Sequence, residues 1–309
     1  MKPITVEQAL YDYAKHAEIK GVKNLQAVRY AQRHLRLAFG TVSAESLTTE
    51  TIEAWMSKMV TAEYKPKAKA TVDRWLTVLS AAFHLAYNNR KMKYLPKIHM
   101  FHPFNTRQGF FVPVEFQAIL EQIAIDRLAD PVHCHMAEFA YNSGRRPGEL
   151  QDMQQKNVFR DEGVIRLPET KNGQTSSIVI EGPLARILEA RDNCRINPND
   201  PEEYVFHING KPVTSSQRNR VWRRARERAG FPNKIFYDMR RSTARDLIAA
   251  DVDIRTAMDI LGQKTRSMYD RYHIQSMKQI RHGVMAMVAL RQGQTAQSLD
   301  TVPTCLVPR

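Results

Sequence analysis

Four stretches between Thr5 and Asn89 repeat apolar residues every three or four positions, and that period restricts the first part of the chain to amphipathic helices. Thr5 with Gln8 forms a capping-box pattern ahead of Leu10, Tyr13 and Ala14, and Gly21 ends the first helix. A second helix is expected from Asn24 to Phe39, with Leu25, Val28, Leu35 and Phe39 in register and Gly40 as its stop. A third, from Thr49 to Tyr64, aligns Ile52, Trp55, Met56 and Met59. The fourth, from Lys67 to Asn89, aligns Val72, Trp75, Leu76, Leu79, Phe83 and Ala86. Short connections make these four a small bundle, in which the Trp and Met stripe is core.

The fourth helix opens with Lys65, Pro66, Lys67, Ala68 and Lys69, with Arg74 close behind. Cations at a helix N-terminus oppose its dipole, so a bound phosphate is the reading that gives this arrangement a purpose. Between Lys93 and Gln108 periodicity fades, and Pro96 and Pro103 mark a linker, assigned to residues 96–110.

Beyond it, Pro113 opens a helix carrying Phe116, Ile119, Leu120 and Ile123, and another helix covers Pro131 to Asn142. His133 and His135 lie two apart, which sends them to different helix faces and argues against a metal pair. Short β-prone runs follow at Val158-Phe159, Val164–Leu167 and Ser177–Ile180, with Asn172-Gly173 as a hairpin turn between the last two. Val205–Gly210 suggests another strand and turn. A helix from Ser215 or Ser216 then carries Arg218, Arg220, Arg223, Arg224, Arg226 and Arg228, with Val221, Trp222 and Ala225 as its apolar face. One helical segment is expected before Leu261, and a last helix from Ser276 to Arg291. The expected class is mainly α with one small antiparallel sheet.

Charge narrows the function. Forty-six Lys and Arg against 32 Asp and Glu give a formal net charge of +14, which favours a polyanion such as nucleic acid. Lys65, Lys67, Lys69, Arg74, Arg218, Arg220, Arg223 and Arg224 are the candidate DNA contacts. No apolar run approaches the ~18 residues a membrane span needs. Cys134, Cys194 and Cys305 are far apart without metal spacing, which fits reduced thiols in a cytoplasmic protein. Leu306-Val307-Pro308-Arg309 looks like the remnant of a cleavable tag, so residues 293–309 are treated as a tail.

The segment from Tyr237 to His273 concentrates arginines, a Gly turn and tyrosines, with neither a metal-ligand set nor a Gly-rich phosphate loop. Tyrosine among arginines suggests chemistry on a phosphodiester, the phenol attacking while cations hold the anionic oxygens. Taken alone, Ser143-Gly144-Arg145-Arg146-Pro147-Gly148-Glu149-Leu150 is an ordinary helix start, and Lys171 an ordinary solvated hairpin lysine.

Together the pieces resemble a family. Residues 143–150 resemble the Thr-Gly-Leu-Arg-x-x-Glu-Leu box of the tyrosine recombinases, or phage integrases. Thr170-Lys171-Asn172-Gly173 resembles their hairpin lysine motif, and Tyr237-Asp238-Met239-Arg240 their His-x-x-Arg box. Leu261-Gly262-Gln263, with Tyr272 nine residues after Gln263, resembles their Leu-Gly-His box and nucleophile spacing. The likeness covers residues 5 to 290. It implies an all-α, SAM-like core-binding domain over 1–95 and an α+β catalytic domain over 111–292. It implies phosphate contacts by Arg146 and Arg240, general acid catalysis by Lys171, attack by Tyr272, and an orienting role for Glu149. Neither metal nor ATP is implied, because a 3′-phosphotyrosine stores the bond energy. Tyr269 is the rival nucleophile, and Arg145 and Arg241 flank the assigned arginines.

Two positions depart from the pattern. Tyr237 replaces a usual His, and Gln263 a usual His or Trp. Either can donate a hydrogen bond to phosphate, but neither is a useful base near pH 7. An active recombinase of a mobile element is the first expectation. A recombinase-derived DNA-binding protein with weak or no cleavage is the second, and a type IB topoisomerase the third. The implied partners are duplex DNA with inverted-repeat core sites, three further copies on synapsed DNA, and an accessory bending or directionality factor. The free protein would be a monomer or weak oligomer. The helix after Tyr272 offers Val284, Met285, Met287, Val288 and Leu290 as an apolar face for a neighbouring protomer or for its own domain. With the bundle starting almost at Met1, no separate arm-binding domain of the sort larger integrases carry is expected.

Overall fold

A computed structural model describes residues 3–103, 107, 109–167, 176–263, 265, 266, 269, 281, 283–285 and 287–292. Lys171 and Tyr272 lie outside the described residues, as does the Asn172-Gly173 turn. The chain divides into two compact units, Met1–Asn105 and Thr106–Arg309.

The first unit is α1 (Val6–Ile19), α2 (Leu25–Phe39), α3 (Thr49–Thr61) and α4 (Lys69–Asn88). Asn24 and Thr48 cap α2 and α3 through their side-chain oxygens. The capping box read at the first helix is half present. Thr5 Oγ1 accepts the Gln8 N–H at 3.2 Å, but the Gln8 amide donates to Asp12 at 2.9 Å instead of turning back. Leu10, Leu35, Ile52, Trp75, Leu79 and Phe83 meet in one apolar core. Part of the segment read as linker packs onto this bundle. Ile98, Met100 and Phe101 lie against the core, and the Phe101 and His102 N–H groups donate to the Asp73 carboxylate, each at 2.9 Å. Extended chain leaves donors to satisfy, and Asp73 satisfies two.

The second unit begins its helices with α5 (Pro113–Ala124), α6 (Val132–Ser143) and the short α7 (Pro147–Gln151). β1 (Val158–Phe159), β2 (Val164–Leu167) and β3 (Ser176–Val179) form an antiparallel sheet in sequence order, with Val164 opposite Val179 and Leu167 opposite Ser176. Helix α8 (Pro183–Asp192) follows, unanticipated from the sequence, burying Leu184, Ile187 and Leu188 behind an N-terminal proline. β4 (His207–Ile208) and β5 (Lys211–Pro212) pair across Asn209 and Gly210, both at positive φ, as a tight hairpin turn requires. α9 (Ser215–Arg228), α10 (Asp238–Ala249) and α11 (Ile254–Leu261) follow, and residues 283–285 and 287–292 are helical. The single helical segment expected before Leu261 is two helices. Asp251 at φ 57° breaks the chain, and Asp253 recaps it with bonds from the Arg255 and Thr256 N–H groups. Among the described residues, no helix is long and apolar enough to cross a membrane.

Candidate active site

Two helix C-termini make the floor of the site. α6 ends at Gly144 (φ 63°) and α11 at Gly262 (φ 59°), both in the left-handed conformation that glycine adopts without strain. A Cβ at Gly144 would lie 2.7 Å from Leu261 Cδ2 and 2.9 Å from Thr243 Cβ, so the two helix ends approach as closely as their backbones allow.

Arg240 projects from the first turn of α10 into this junction and is buried. Its Nη1 donates to the Gly144 carbonyl at 2.9 Å and to the Leu261 carbonyl. These carbonyls carry the negative ends of two helix dipoles, which hold a buried cation in place. Arg146, at the N-cap of α7, is half-exposed. It donates Nη1 to Glu149 Oε1 at 2.8 Å and to the Gly262 carbonyl at 3.2 Å, while Glu149 Oε2 accepts its backbone N–H at 3.2 Å. The carboxylate thus fixes both the turn and the guanidinium.

Arg145 faces the other way. It is buried, with Nη1 on Ser176 Oγ and Nη2 on the Ser177 carbonyl, which ties the start of β3 to the α6 end. Burial, with the repulsion of Arg240 and Arg146, brings its pKa down to about 10, opposed by Glu149. At pH 7 it remains charged.

Gln263 follows the α11 cap and is only 6% exposed, and its Oε1 has no hydrogen-bond partner among the described residues. Tyr237 is half-buried just before α10, with the Arg241 guanidinium 5.7 Å from its ring centre. Asp238, 0% exposed, accepts from Arg107 and Arg241. The described residues here supply four guanidinium groups (Arg145, Arg146, Arg240, Arg241) against the carboxylates of Glu149 and Asp238. Such an excess of fixed positive charge suits a phosphate. Tyr269 is 1% exposed and packs with Ala244, Ala257, Met258 and Leu261.

The candidate DNA contacts separate into two groups. Lys65, Lys69 and Arg74 are exposed and Lys67 half-exposed around the start of α4, which has no side-chain cap and no acid in its first turn. Arg220 and Arg223 are exposed on α9. Arg218 and Arg224 have partners within their own unit. Arg218 is 8% exposed, donates to the Pro147 carbonyl at 3.4 Å and stacks 5.1 Å from the Phe236 ring centre. Arg224 joins Arg228 on the Asp126 carboxylate, at 2.9 and 2.6 Å.

Sequence reasoning missed Arg107 and Gly109, which touch Asp238 across some 130 positions, and Ser176. No local pattern marks an arginine between two prolines. Gly109 carried one faint signal, a glycine in a run with no turn to make.

Comparisons with known proteins agree with this fold. Residues 113–279, more than half of the chain, match the model of the phage integrase family. The integrase of Salmonella phage P22 is 25% identical over 221 residues, which are 67% of this chain and 54% of that protein, so the chain spans about half the length of this curated relative. A lambda integrase dimer bound to a COC' core site superposes with a TM-score of 0.72 at 19% identity, covering 86% of this chain and 97% of that one. A lambda integrase tetramer bound to a Holliday junction gives 0.70 at 19% identity, over 88% and 78%. The Tn1549 transposon integrase in complex with transposon right end DNA gives 0.74 at 17% identity, over 93% and 100%. At these identities the structures establish the fold. With its family match and its fold, this chain belongs to the phage integrase family.

Proposed function

We propose that the protein is a tyrosine site-specific recombinase that integrates, excises or resolves a mobile element. The observation that carries this reading is the convergence of Arg146, Arg240 and Gln263, from three separate segments, on one junction of two helix ends. In the proposed reaction Tyr272 Oη loses its proton to solvent and attacks the scissile phosphorus, the P–O5′ bond breaks, and a 3′-phosphotyrosyl bond replaces it. Arg146 and Arg240 offset the charge on the pentavalent transition state, and Lys171 gives the departing 5′ oxygen its proton. Tyr237 and Gln263 donate hydrogen bonds to the phosphate, and Glu149 holds Arg146 in aim. No metal or ATP enters this scheme. A phenol of pKa about 10 attacks poorly until cations and an acceptor favour its anion. The burial of Tyr269 supports Tyr272 as the nucleophile.

The remaining assignments extend this reading. Residues 1–95 act as the core-binding domain, 96–110 as the linker and 111–292 as the catalytic domain, on cytoplasmic duplex DNA with inverted-repeat core sites. Four copies assemble on synapsed DNA, with the exposed Val284, Met285, Met287, Val288 and Leu290 offered to a neighbour. An accessory DNA-bending or directionality factor completes the complex. A second reading, a DNA-binding protein without cleavage, is favoured by one observation: neither Tyr237 nor Gln263 supplies a base.

The test is covalent trapping. Nicked duplexes from the ends of the protein's own genetic element are incubated with native protein, Tyr272→Phe and Tyr269→Phe, and resolved on a denaturing gel. An adduct lost only with Tyr272→Phe supports the recombinase. Binding without adduct in the native protein supports the second reading.

A further inference from the structure

Arg107 and residues 109–111 lie against α10 and the turn before it. Arg107 donates Nε and Nη2 to the two Asp238 oxygens at 2.9 and 2.8 Å, and Nη2 also reaches the Asn233 carbonyl. Gly109 presses on the same carboxylate, where a Cβ would lie 2.8 Å from Oδ2 and 3.0 Å from Cγ. Lys234 Nζ donates to the Phe110 carbonyl, and the Arg245 guanidinium lies 3.5 Å from the Phe110 ring centre. The Phe111 N–H donates to Ser242 Oγ at 2.7 Å.

Asp238 is the focus of this arrangement. Fully buried, it accepts from Arg107, from the Ile235 N–H at 2.9 Å and from Arg241 at 2.6 Å. It opens α10, directly after Tyr237 and two residues before Arg240. A buried carboxylate is held only where its donors are, so Arg107 sets the position of Asp238 together with the Ile235 N–H and Arg241. The fork of Arg107 sets direction as well as distance, because both N–H groups bind one planar carboxylate.

We propose that Arg107 and Gly109 are positioning residues for the phosphate clamp: through Asp238 they set the first turn of α10, and with it Tyr237 and Arg240. Neither touches the reacting atoms. The inference rests on the recombinase reading above. Reacting groups must be held to a fraction of an ångström, and a displacement of about 1 Å costs on the order of 10²-fold in rate.

The experiment uses the full chain and duplexes that the native protein retains from a random-sequence pool, rebuilt as a set nicked at successive positions. Adduct formation is followed at saturating protein, beside DNA affinity and thermal unfolding. Arg107→Ala and Gly109→Ala are expected to slow adduct formation about 10²-fold with affinity unchanged, and Arg107→Lys to recover part of the rate. Gly109→Ala removes no hydrogen bond, so it keeps the test sharp if Arg107→Ala folds poorly. A native rate in both alanine variants overturns the proposal and leaves the recombinase reading standing. So does a loss that follows only the fraction folded, with the rate per folded molecule unchanged. An absence of adduct in the native protein itself overturns the recombinase reading, and this inference with it.

Discussion

Arg146 donates to the Gly262 carbonyl at 3.2 Å, so the arginine that opens α7 is aimed by the residue that closes α11. The bond joins positions 116 apart, and it exists because Gly262 turns left-handed and presents its carbonyl to the site. The flanking helix ends are therefore as much a part of the chemistry as the guanidinium groups.

Replacing Gly144 tests that junction. Gly144→Ala forces a left-handed alanine against Leu261 and Thr243, and a cost of about 2 kcal/mol or more is expected. Urea unfolding would measure it, and a change near zero would show that the helix ends can part without loss.

Arg240→Ala removes the buried cation from the two carbonyls. Adduct formation is expected to fall by about 10²–10³ at saturating DNA, the scale of losing one preorganised charge-stabilising donor. Cleavage within a few-fold of native would assign the clamp elsewhere.

Lys171 is tested by its leaving group. Lys171→Ala should lose about 10²-fold or more on an ordinary phosphodiester. A DNA whose scissile 5′ oxygen is replaced by sulfur leaves as a thiolate and needs no proton, so the variant should regain activity there. Equal losses on both substrates would rule out a proton-donor role.

Asp238 predicts an acid sensitivity. Burial alone would raise its carboxyl, but hydrogen bonds from Arg107, the Ile235 N–H and Arg241 hold it below the ordinary carboxylate range. A depressed carboxyl contributes stability above its unfolded value, about 3.9, and that contribution fades as pH falls through the folded value. Asp238→Asn should therefore be less stable than native at pH 7, and the gap should narrow below pH ~4. Urea midpoints across that range decide it, and a gap independent of pH would remove the charge from the account.

The arginines of α9 should divide by exposure. Arg220→Ala and Arg223→Ala are expected to weaken DNA binding across sequences and each lower the salt slope by about 1. Arg218→Ala and Arg224→Ala should lower unfolding temperature and leave that slope alone, since their partners are Pro147, Phe236 and Asp126. Salt titrations with all four variants would test the division.

Much of this was legible in advance. The helical period located seven of the eight long described helices before α10, and the local caps at Asn24 and Thr48 act within three residues. Helix α8 was legible but unread, since Pro183 ahead of Leu184, Ile187 and Leu188 is a helix start with an apolar face. Arg218 was likewise legible, because it shares the helical face of Val221, Trp222 and Ala225, which is buried.

What the sequence by itself determined is what local rules reach: helix period, caps, the Asn209-Gly210 turn, and the order and spacing of the boxes. Only the tertiary structure decided which arginine does what. Arg145 and Arg146 are neighbours in the chain, yet one is anchored to β3 and the other turned to the α11 end. Arg107 finds Asp238 131 positions away. A guanidinium is long, and its planar fork accepts any carboxylate or carbonyl that folding brings within reach. Its partner is therefore fixed by the packing of distant segments, which no period or spacing in the chain records.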